Sequence, residues 1–276
     1  MQRFFRILPA FDYRHLITQD RSQLLTKALL LRLVRHGAVL VSNCGEQSLS
    51  TLSNFVEQTL SPPMKTIWSR SSLSQSSIED NMWTVEAKEP DDSVKSDDVY
   101  SRKELLSHND CLYLDEVPGL QIFYSLKVDL VENRGLTILT DSKDVLKFLP
   151  AGSRAILSDL SLRYRCAESF DTTAIHPIIS KTLNEFGEDV CLLYNRYDLV
   201  GRETLSQREN EELKSLESLI DKCSWKFLLS EGSMLIINNQ RMMHGRTALS
   251  RNSKRTLLGC YIDQDSWQKR LATLLK

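Results

Sequence analysis

Three side chains that could bind a metal ion stand out in the sequence: His108, Asp110 and His244. His108 and Asp110 lie two residues apart, and on a β-strand that spacing points both side chains to the same face. Two imidazoles and one carboxylate on one face of an octahedral metal ion leave three positions open, an arrangement typical of non-haem Fe(II) oxygenases. Arg255 follows eleven residues after His244. Its planar guanidinium suits two-pronged binding of a dicarboxylate co-substrate.

The His-x-Asp pair by itself is weak evidence for a metal site. With five His in the chain, roughly one sequence in three of this composition would contain the pair by chance, for example in a surface turn. Its downstream neighbours strengthen the hypothesis, because an apolar run at 233–238 leads to His244 and 255–261 reads as the next strand. A hairpin-like connection would set His244 and Arg255 on adjacent strands, facing one cavity.

The composition is that of an ordinary globular protein. Of 276 residues, 41% are hydrophobic and 26% are charged, and a net charge of −1 provides no basic patch for nucleic acid or a membrane surface. Six Cys without a Cys-x-x-Cys motif favour free thiols in a reducing compartment. No apolar run approaches the roughly 20 residues that span a membrane, and fold-like sequence begins almost at once, which argues against a transit peptide. We therefore expect a cytoplasmic protein with no nucleic-acid or membrane partner.

The elements that must position the site are predicted from hydrophobic periodicity and capping residues. Helices are predicted at 21–35, 48–60, 141–149 and after the capping box at 206–209. Strands are predicted at 38–41, 119–126, 136–140, 155–165, 190–195, 226–230, 233–238 and 255–262. This order of elements predicts a mixed α/β, mainly β fold, in which a β-sandwich or jelly roll is flanked by helices.

We expect a single domain over residues 1–276. Within it, residues 69–103 are rich in Ser, Asp, Glu and Lys, and a long polar insertion in a compact domain is usually either disordered or functional. We predict that residues 84–99 form a lid. The alternative is a solvated loop, but Trp83 and Tyr100 argue against it, because large aromatics are unusual in such a segment.

Several segments, taken in their order along the chain, resemble those of a known family. The segments at 239–247 (NQRMMHGRT) and 255–261 (RTLLGCY) resemble the C-terminal motif of γ-butyrobetaine and trimethyllysine hydroxylases. These enzymes belong to the taurine dioxygenase-like superfamily of Fe(II)/2-oxoglutarate oxygenases. Further matching stretches lie at 117–121, 176–179 and 194–198, so that the resemblance extends over nearly the whole chain. The ordered set is specific, whereas His-x-Asp alone is not.

The resemblance implies a double-stranded β-helix with Fe(II) bound by His108, Asp110 and His244. It also implies that Arg255 and Thr137 bind 2-oxoglutarate, and that O2 is the second co-substrate. The enzyme would then hydroxylate a small substrate while 2-oxoglutarate is decarboxylated to succinate and CO2. Arg134 stands where the family more often has Gly, and Thr137 could instead be an ordinary strand residue.

The resemblance also suggests how a substrate is bound. The related hydroxylases hold a trimethylammonium group in an aromatic cage through cation–π attraction, and Trp83, Tyr100 and Tyr261 fall on cage positions. No fourth aromatic is present at 77–80. The alternative is that these rings only pack in the core or in the lid. The expected substrate is therefore a small cationic molecule, either a quaternary ammonium compound or an amino acid.

At the opposite end of the substrate, the family uses Asn-type donors for a carboxylate. Here Asn195 is retained, Arg196 follows it, and Asp97 replaces an expected Asn. One interpretation is an α-amino acid substrate, with Asp97 on its amine and Arg196 on its carboxylate. The other is that Arg196 and Asp97 pair with each other, which at a surface contributes little.

Other functions remain as alternatives. The chain could be an enzyme of specialised metabolism that performs desaturation, cyclisation or demethylation, or a non-catalytic small-molecule-binding relative. A zinc hydrolase is disfavoured because it has no use for Arg255. The related hydroxylases carry an additional zinc-binding N-terminal domain for which we find no Cys cluster here, and this weakens a shared carnitine-pathway role. The resemblance further implies homodimer formation through the C-terminal helix at 267–275, which could equally dock on its own barrel.

Overall fold

The computed structural model describes residues 7–18, 22–60, 81–86, 101–166, 172–184 and 187–276. The described strands are β1 Ala10–Asp12, β2 Ala38–Ser42, β3 Met82–Glu86, β4 Leu105–His108, β5 Leu120–Lys127, β6 Thr137–Asp141, β7 Ser161–Arg165, β8 Thr173–Pro177, β9 Ile179–Asn184, β10 Gly187–Leu192, β11 Leu199–Val200, β12 Trp225–Phe227, β13 Met234–Asn238, β14 Met242–Arg246 and β15 Thr256–Ile262. The described helices are α1 Tyr13–Leu16, α2 Ser22–His36, α3 Leu49–Phe55, α4 Ser142–Phe148, α5 Ala151–Asp159, α6 Gln207–Cys223 and α7 Gln264–Leu275. A π-helical turn at Val56–Leu60 continues α3, and a 3-10 turn spans Arg202–Thr204.

Two sheets dominate the architecture. The larger has six strands in the order β1-β2-β13-β5-β15-β3, and the smaller has four in the order β12-β6-β14-β4. Pairing in both is antiparallel apart from β1 with β2. Two lesser sheets, β11-β7-β8 and β10-β9, complete the described strands. The predicted mixed α/β class with many strands is confirmed.

The hydrophobic core has three parts, and one of them lies between the two main sheets. It contains Phe123 and Leu235 from the six-stranded sheet with Leu139 and Met242 from the four-stranded sheet. A second part lies between the outer face of the six-stranded sheet and helices α2, α3 and α7. The third packs α4, α5 and α6 against the two lesser sheets and against Met243 of the four-stranded sheet. Each sheet is thus covered by helices outside, and the two sheets meet across an apolar layer.

Local sequence signals explain where several elements begin and end. Helix α2 stops before Gly37, which has φ +76, a conformation that favours glycine. A Cβ at Gly37 would lie only 2.7 Å from the Met242 sulfur. Ser48 caps α3 by accepting a hydrogen bond from the Thr51 amide, and Ser206 with Glu209 forms the predicted capping box of α6.

One predicted strand is wrong in part. Residues 155–159 belong to helix α5, and only Ser161–Arg165 is a strand. Pro150 occupies the N-cap of α5 with φ −57, and Leu157 is its buried residue. With one buried apolar residue, the segment shows no helical periodicity in the sequence. It was therefore predicted as the start of a strand.

The predicted lid at 84–99 lies mostly outside the described residues. Its first three residues, 84–86, belong to β3 and pair with β15. At the other end of the chain, Trp267 and Leu271 of α7 are buried in the protein's own core. None of the described helices has both the length and the apolar character needed to cross a membrane.

Candidate metal centre

His108 and His244 face each other on neighbouring strands of the four-stranded sheet. They form a direct register pair between β4 and β14, and their rings are 4.6 Å apart. The Nδ1 atom of His108 lies 2.8 Å from the carbonyl oxygen of Leu106. Because a carbonyl can only accept, Nδ1 carries the proton and Nε2 is left to face Asp110.

Asp110 lies beyond the strand, in contrast to the period-two prediction. Strand β4 ends at His108, and Cys111 has φ +61, so the chain turns at this point. The turn is held by Asn239, whose side chain exchanges two hydrogen bonds of 3.0 Å with the backbone of Asp110. Asn109 in turn donates to the carbonyl oxygen of Asn239 at 2.6 Å. Buried amide side chains, rather than strand alternation, direct the carboxylate towards the histidines.

The three side chains form a compact donor set. Asp110 Oδ1 lies 3.1 Å from His108 Nε2, and Asp110 Oδ2 lies 3.7 Å from His244 Nε2. All three ligand atoms lie within 4.8 Å of one another, close enough to share one metal ion. Both histidines are buried and the aspartate is half-buried, so a bound ion would be largely shielded from bulk water.

Two residues that sequence reasoning did not assign to the metal site contact the aspartate. Gln121 Nε2 donates to Asp110 Oδ2 at 2.6 Å, and the Tyr261 hydroxyl donates to the same oxygen at 2.7 Å. Gln121 Nε2 also lies 3.3 Å from the Tyr261 oxygen. The resemblance includes Gln121 only as the last residue of a matching segment, and Tyr261 only as a cage ring. No spacing rule indicates that either side chain reaches Asp110, which follows a strand of the opposite sheet.

The protonation states of His244 and Asp110 suit metal binding. Burial lowers the pKa of His244 to about 3, so this imidazole is neutral near neutral pH. Burial alone would raise the pKa of Asp110, but the two neighbouring imidazoles and the hydrogen bond from the Tyr261 hydroxyl outweigh it and hold that pKa well below its ordinary value. Burial would also lower the pKa of His108, yet the hydrogen bond and charge of Asp110 raise it by favouring a proton on Nε2, and a metal ion that binds there must displace this proton. An ionised carboxylate beside imidazoles is the donor state that metal binding requires.

Arg255 and Thr137 lie in the same pocket as the donor set. Burial, aided by the neighbouring Arg246, lowers the pKa of Arg255 to about 10, which still leaves it charged. Within the described part of the chain no carboxylate forms an ion pair with Arg255. Asp129, whose charge acts on it, accepts hydrogen bonds from Ser250 instead. The Thr137 hydroxyl is buried and has no hydrogen-bond partner among the described residues.

The predicted adjacency of His244 and Arg255 on neighbouring strands is wrong. His244 lies on β14 of the four-stranded sheet, whereas Arg255 precedes β15 of the six-stranded sheet. The chain crosses from one sheet to the other between these strands, so no hairpin forms. The two side chains meet because the sheets face each other across the pocket.

Aromatic and aliphatic side chains form the rest of the pocket wall. Trp83 packs edge-on against Phe123 at 5.6 Å and lies 5.9 Å from the ring of Tyr261. Gly259 makes room for this indole, since a Cβ there would lie 2.2 Å from the Trp83 ring. The aliphatic wall consists of Val85, Leu105, Leu229, Leu235 and Leu257.

The residues predicted to bind substrate have separate positions. Trp83 and Tyr261 line the pocket, and the Tyr261 hydroxyl is engaged by Asp110. Asn195 is directed elsewhere, donating to the Asn109 carbonyl oxygen at 3.1 Å and to Asp198 at 2.8 Å. Arg196 pairs with Asp221 at 3.3 Å. Neither Asn195 nor Arg196 lines the pocket. Tyr100 and Asp97 lie outside the described residues.

Two further pocket residues follow His244 directly. A Cβ on Gly245 would lie 2.2 Å from the Leu105 carbonyl oxygen, at the point where the pairing of β14 and β4 is irregular. Arg246 is buried and donates to the carbonyl oxygens of Lys103, at 2.5 Å, and Ser101. Glycine is therefore required beside His244 because the neighbouring backbone approaches so closely.

Two facing sheets enclose a His–Asp–His group that could hold a metal ion, beside an arginine that has no carboxylate partner among the described residues. The family comparison agrees: a family model described as "Taurine catabolism dioxygenase TauD, TfdA family" matches residues 7–261. The chain belongs to this family.

Relatives and solved structures extend the comparison. The chain is 29% identical over 215 residues to the mitochondrial trimethyllysine dioxygenase of Gallus gallus, covering 71% of this chain and 48% of that protein. It is 28% identical over 196 residues to the trimethyllysine dioxygenase of Meyerozyma guilliermondii, covering 66% and 48%. The chain thus spans about half the length of the curated relatives that it matches.

Solved structures show the same fold at low sequence identity. PvcB from Pseudomonas aeruginosa superposes with a TM-score of 0.66 at 16% identity, covering 86% of this chain and 79% of that one. An asparagine oxygenase gives 0.67 at 17% identity, covering 87% and 79%. A taurine dioxygenase from Burkholderia xenovorans gives 0.65 at 16% identity, covering 93% and 88%.

Proposed function

We propose that this protein is an Fe(II)- and 2-oxoglutarate-dependent dioxygenase that hydroxylates a small cationic substrate. His108, Asp110 and His244 are the proposed iron ligands. The observation that carries the proposal is that their donor atoms lie within 4.8 Å of one another in a pocket that also contains the buried Arg255. Among the similar structures, PvcB is described as an Fe, alpha-ketoglutarate dependent oxygenase.

The donor set fits iron in its chemistry. Two imidazoles and one carboxylate that leave coordination positions open are the set that non-haem Fe(II) oxygenases use. With 2-oxoglutarate and O2, bound iron would supply an oxidant for an unactivated C–H bond, and 2-oxoglutarate would be converted to succinate and CO2. The protein's own contribution is to hold the ligands, exclude water and orient the substrate carbon.

Arg255 and Thr137 are the proposed binding residues for 2-oxoglutarate. A buried guanidinium without a carboxylate partner is costly unless a ligand supplies the anion. The Thr137 hydroxyl, also buried and without a partner in the described part of the chain, can donate to the same carboxylate. Arg246 lies in the same pocket and adds positive charge near Arg255. A dianionic co-substrate would offset this excess of positive charge.

We also propose that the two facing sheets form a double-stranded β-helix, the jelly-roll arrangement, with the metal at its open end. Antiparallel pairing in both sheets and the apolar layer between them support this. Homodimer formation and a cytoplasmic location stay predictions.

The substrate class follows from the remaining wall of the pocket. The rings of Trp83, Phe123 and Tyr261 offer aromatic faces to a cation. The Gln121 amide oxygen is buried, finds no partner within the described ranges, and can accept a hydrogen bond from an N–H group. These features support an ammonium-bearing substrate, either quaternary or an amino acid. The related proteins are named for trimethyllysine, which belongs to this class.

The test is succinate formation by protein loaded anaerobically with iron, then given O2 and 2-oxoglutarate with one candidate at a time. The panel contains γ-butyrobetaine, trimethyllysine, other betaines and free basic amino acids. We expect one of them to stimulate succinate formation and to gain one oxygen atom by mass spectrometry. A product that has lost two hydrogens would favour the desaturase alternative. Protein that binds neither iron nor 2-oxoglutarate would overturn the proposal.

A further inference from the structure

One oxygen of the aspartate carboxylate is occupied by two donors. Asp110 Oδ2 accepts from Gln121 Nε2 at 2.6 Å and from the Tyr261 hydroxyl at 2.7 Å. Among the described residues, no donor from the six-stranded sheet reaches the other oxygen, Oδ1, which lies 3.1 Å from His108 Nε2. The carboxylate is therefore engaged asymmetrically, with one oxygen held by protein donors.

The two donors form a single unit. Gln121 on β5 and Tyr261 on β15 are direct register partners in the six-stranded sheet, and both are buried. Their side chains also lie 3.3 Å apart, from amide nitrogen to hydroxyl oxygen. Asp110 follows β4 of the opposite sheet. A cross-strand pair on one sheet thus donates two hydrogen bonds to the Asp110 carboxylate, which follows a strand of the other sheet.

The orientation of the Gln121 amide is fixed by chemistry. An ionised carboxylate only accepts, so the amide nitrogen rather than the amide oxygen must face Asp110. The Tyr261 hydroxyl has one proton, which it donates to Asp110 while it accepts from Gln121. Both donors are thus committed to Oδ2.

We propose that Gln121 and Tyr261 are positioning residues that leave Asp110 only one oxygen, Oδ1, to offer to the metal. A carboxylate free to turn can bind a metal through both oxygens and would then occupy a position that 2-oxoglutarate or O2 needs. Neighbours that orient metal ligands in this way typically change metal affinity or activity by about 10- to 100-fold. The inference rests on the proposed iron site but concerns residues outside the ligand set.

The test compares Tyr261→Phe, Gln121→Leu and the double variant with wild-type protein. Two matched controls remove the same groups elsewhere: Tyr164→Phe, whose buried hydroxyl donates to the Leu193 carbonyl oxygen, and Gln240→Leu, whose amide donates to the Val117 carbonyl oxygen. Each protein is titrated anaerobically with Co(II), and both the dissociation constant and the visible absorption spectrum of the bound ion are recorded. Thermal unfolding without metal identifies variants that fail to fold.

We expect the double variant to bind Co(II) about 10- to 100-fold more weakly and with an altered absorption spectrum, which reports the ligand geometry. The two controls should stay within about twofold of wild type, since neither touches a ligand. Tyr261→Phe removes a single oxygen atom and alone decides the question if the double variant does not fold. Wild-type affinity and an unchanged spectrum in Tyr261→Phe would overturn the inference. Failure of the wild-type protein to bind Co(II) would instead count against the proposed metal site.

Discussion

The two sheets that face the pocket contribute different kinds of residue. The four-stranded sheet carries His108 and His244, with Thr137 at the start of the neighbouring strand. The six-stranded sheet carries Gln121 and Tyr261, which both donate to Oδ2 of Asp110, the third proposed ligand. One sheet therefore presents two of the proposed metal ligands, and the other orients the third, which lies in a turn.

This division makes the site depend on the distance between the sheets. Arg255 precedes a strand of the six-stranded sheet, yet it must act in the same pocket as His244 on the other sheet. The apolar layer of Phe123, Leu139 and Leu235 separates the sheets close to this pocket. Core packing thus sets the distance between the proposed co-substrate anchor and the proposed iron ligands.

The largest effect is expected on the four-stranded sheet. His244→Ala removes one of three proposed ligands, and we expect it to abolish both Fe(II) binding and 2-oxoglutarate turnover. Anaerobic metal titration and succinate assays measure these losses. His15→Ala, an exposed histidine far along the chain from the donor set, is the control and should behave as wild type. Full turnover by His244→Ala would remove this residue from the site.

The corresponding change beside the six-stranded sheet should leave the metal in place. Arg255→Ala removes the proposed charge-assisted bond to 2-oxoglutarate, for which about 1.5–3 kcal/mol is typical, so affinity should fall roughly 10- to 100-fold. Calorimetric titration of metal-loaded protein with 2-oxoglutarate in the absence of O2 measures this. Exposed Arg163 provides the control, Arg163→Ala. If Arg255→Ala bound 2-oxoglutarate as tightly as wild type, the anchor would have to be another group, with Arg246 the nearest candidate.

A smaller effect should follow from a change at the contact between the two histidine-bearing strands. In Gly245→Ala the new methyl group would lie only 2.2 Å from the Leu105 carbonyl oxygen, so β14 must move away from β4. Such overpacking costs about 1–3 kcal/mol of the free energy of unfolding. Chemical denaturation measures it. Gly152→Ala in α5 has open space around it and should be neutral or up to about 1 kcal/mol stabilising. Equal stability of the two variants would mean that the strands can separate freely.

Sequence reasoning succeeded where residue type and order carry the information. The histidines, Asp110 and Arg255 were identified by their chemistry, and they do meet in one pocket. The reasons given for that meeting were partly wrong, because the aspartate lies in a turn and Arg255 belongs to the opposite sheet. Which sheet a strand joins depends on long-range pairing, which no local pattern encodes. Contacts across sheets, such as the hydrogen bond from Gln121 to Asp110, therefore could not be predicted from the sequence.

The smallest predicted effect concerns Thr137 and tests whether it binds 2-oxoglutarate or is an ordinary strand residue. Thr137→Val exchanges a buried hydroxyl, which none of the described residues hydrogen-bonds, for a methyl group of similar size. Without ligand, the variant should be as stable as wild type or slightly more stable, because an unsatisfied polar group is lost. Its affinity for 2-oxoglutarate should fall by about 0.5–1.5 kcal/mol, or a few-fold to tenfold. Thr140→Val offers the contrast, since the Thr140 hydroxyl pairs with that of Ser107 at 2.8 Å and its removal should destabilise the protein. Chemical denaturation tests whether the two substitutions change stability in opposite directions, and calorimetric titration measures the affinity for 2-oxoglutarate. An unchanged affinity in Thr137→Val would mean that Thr137 is a strand residue with no role in binding.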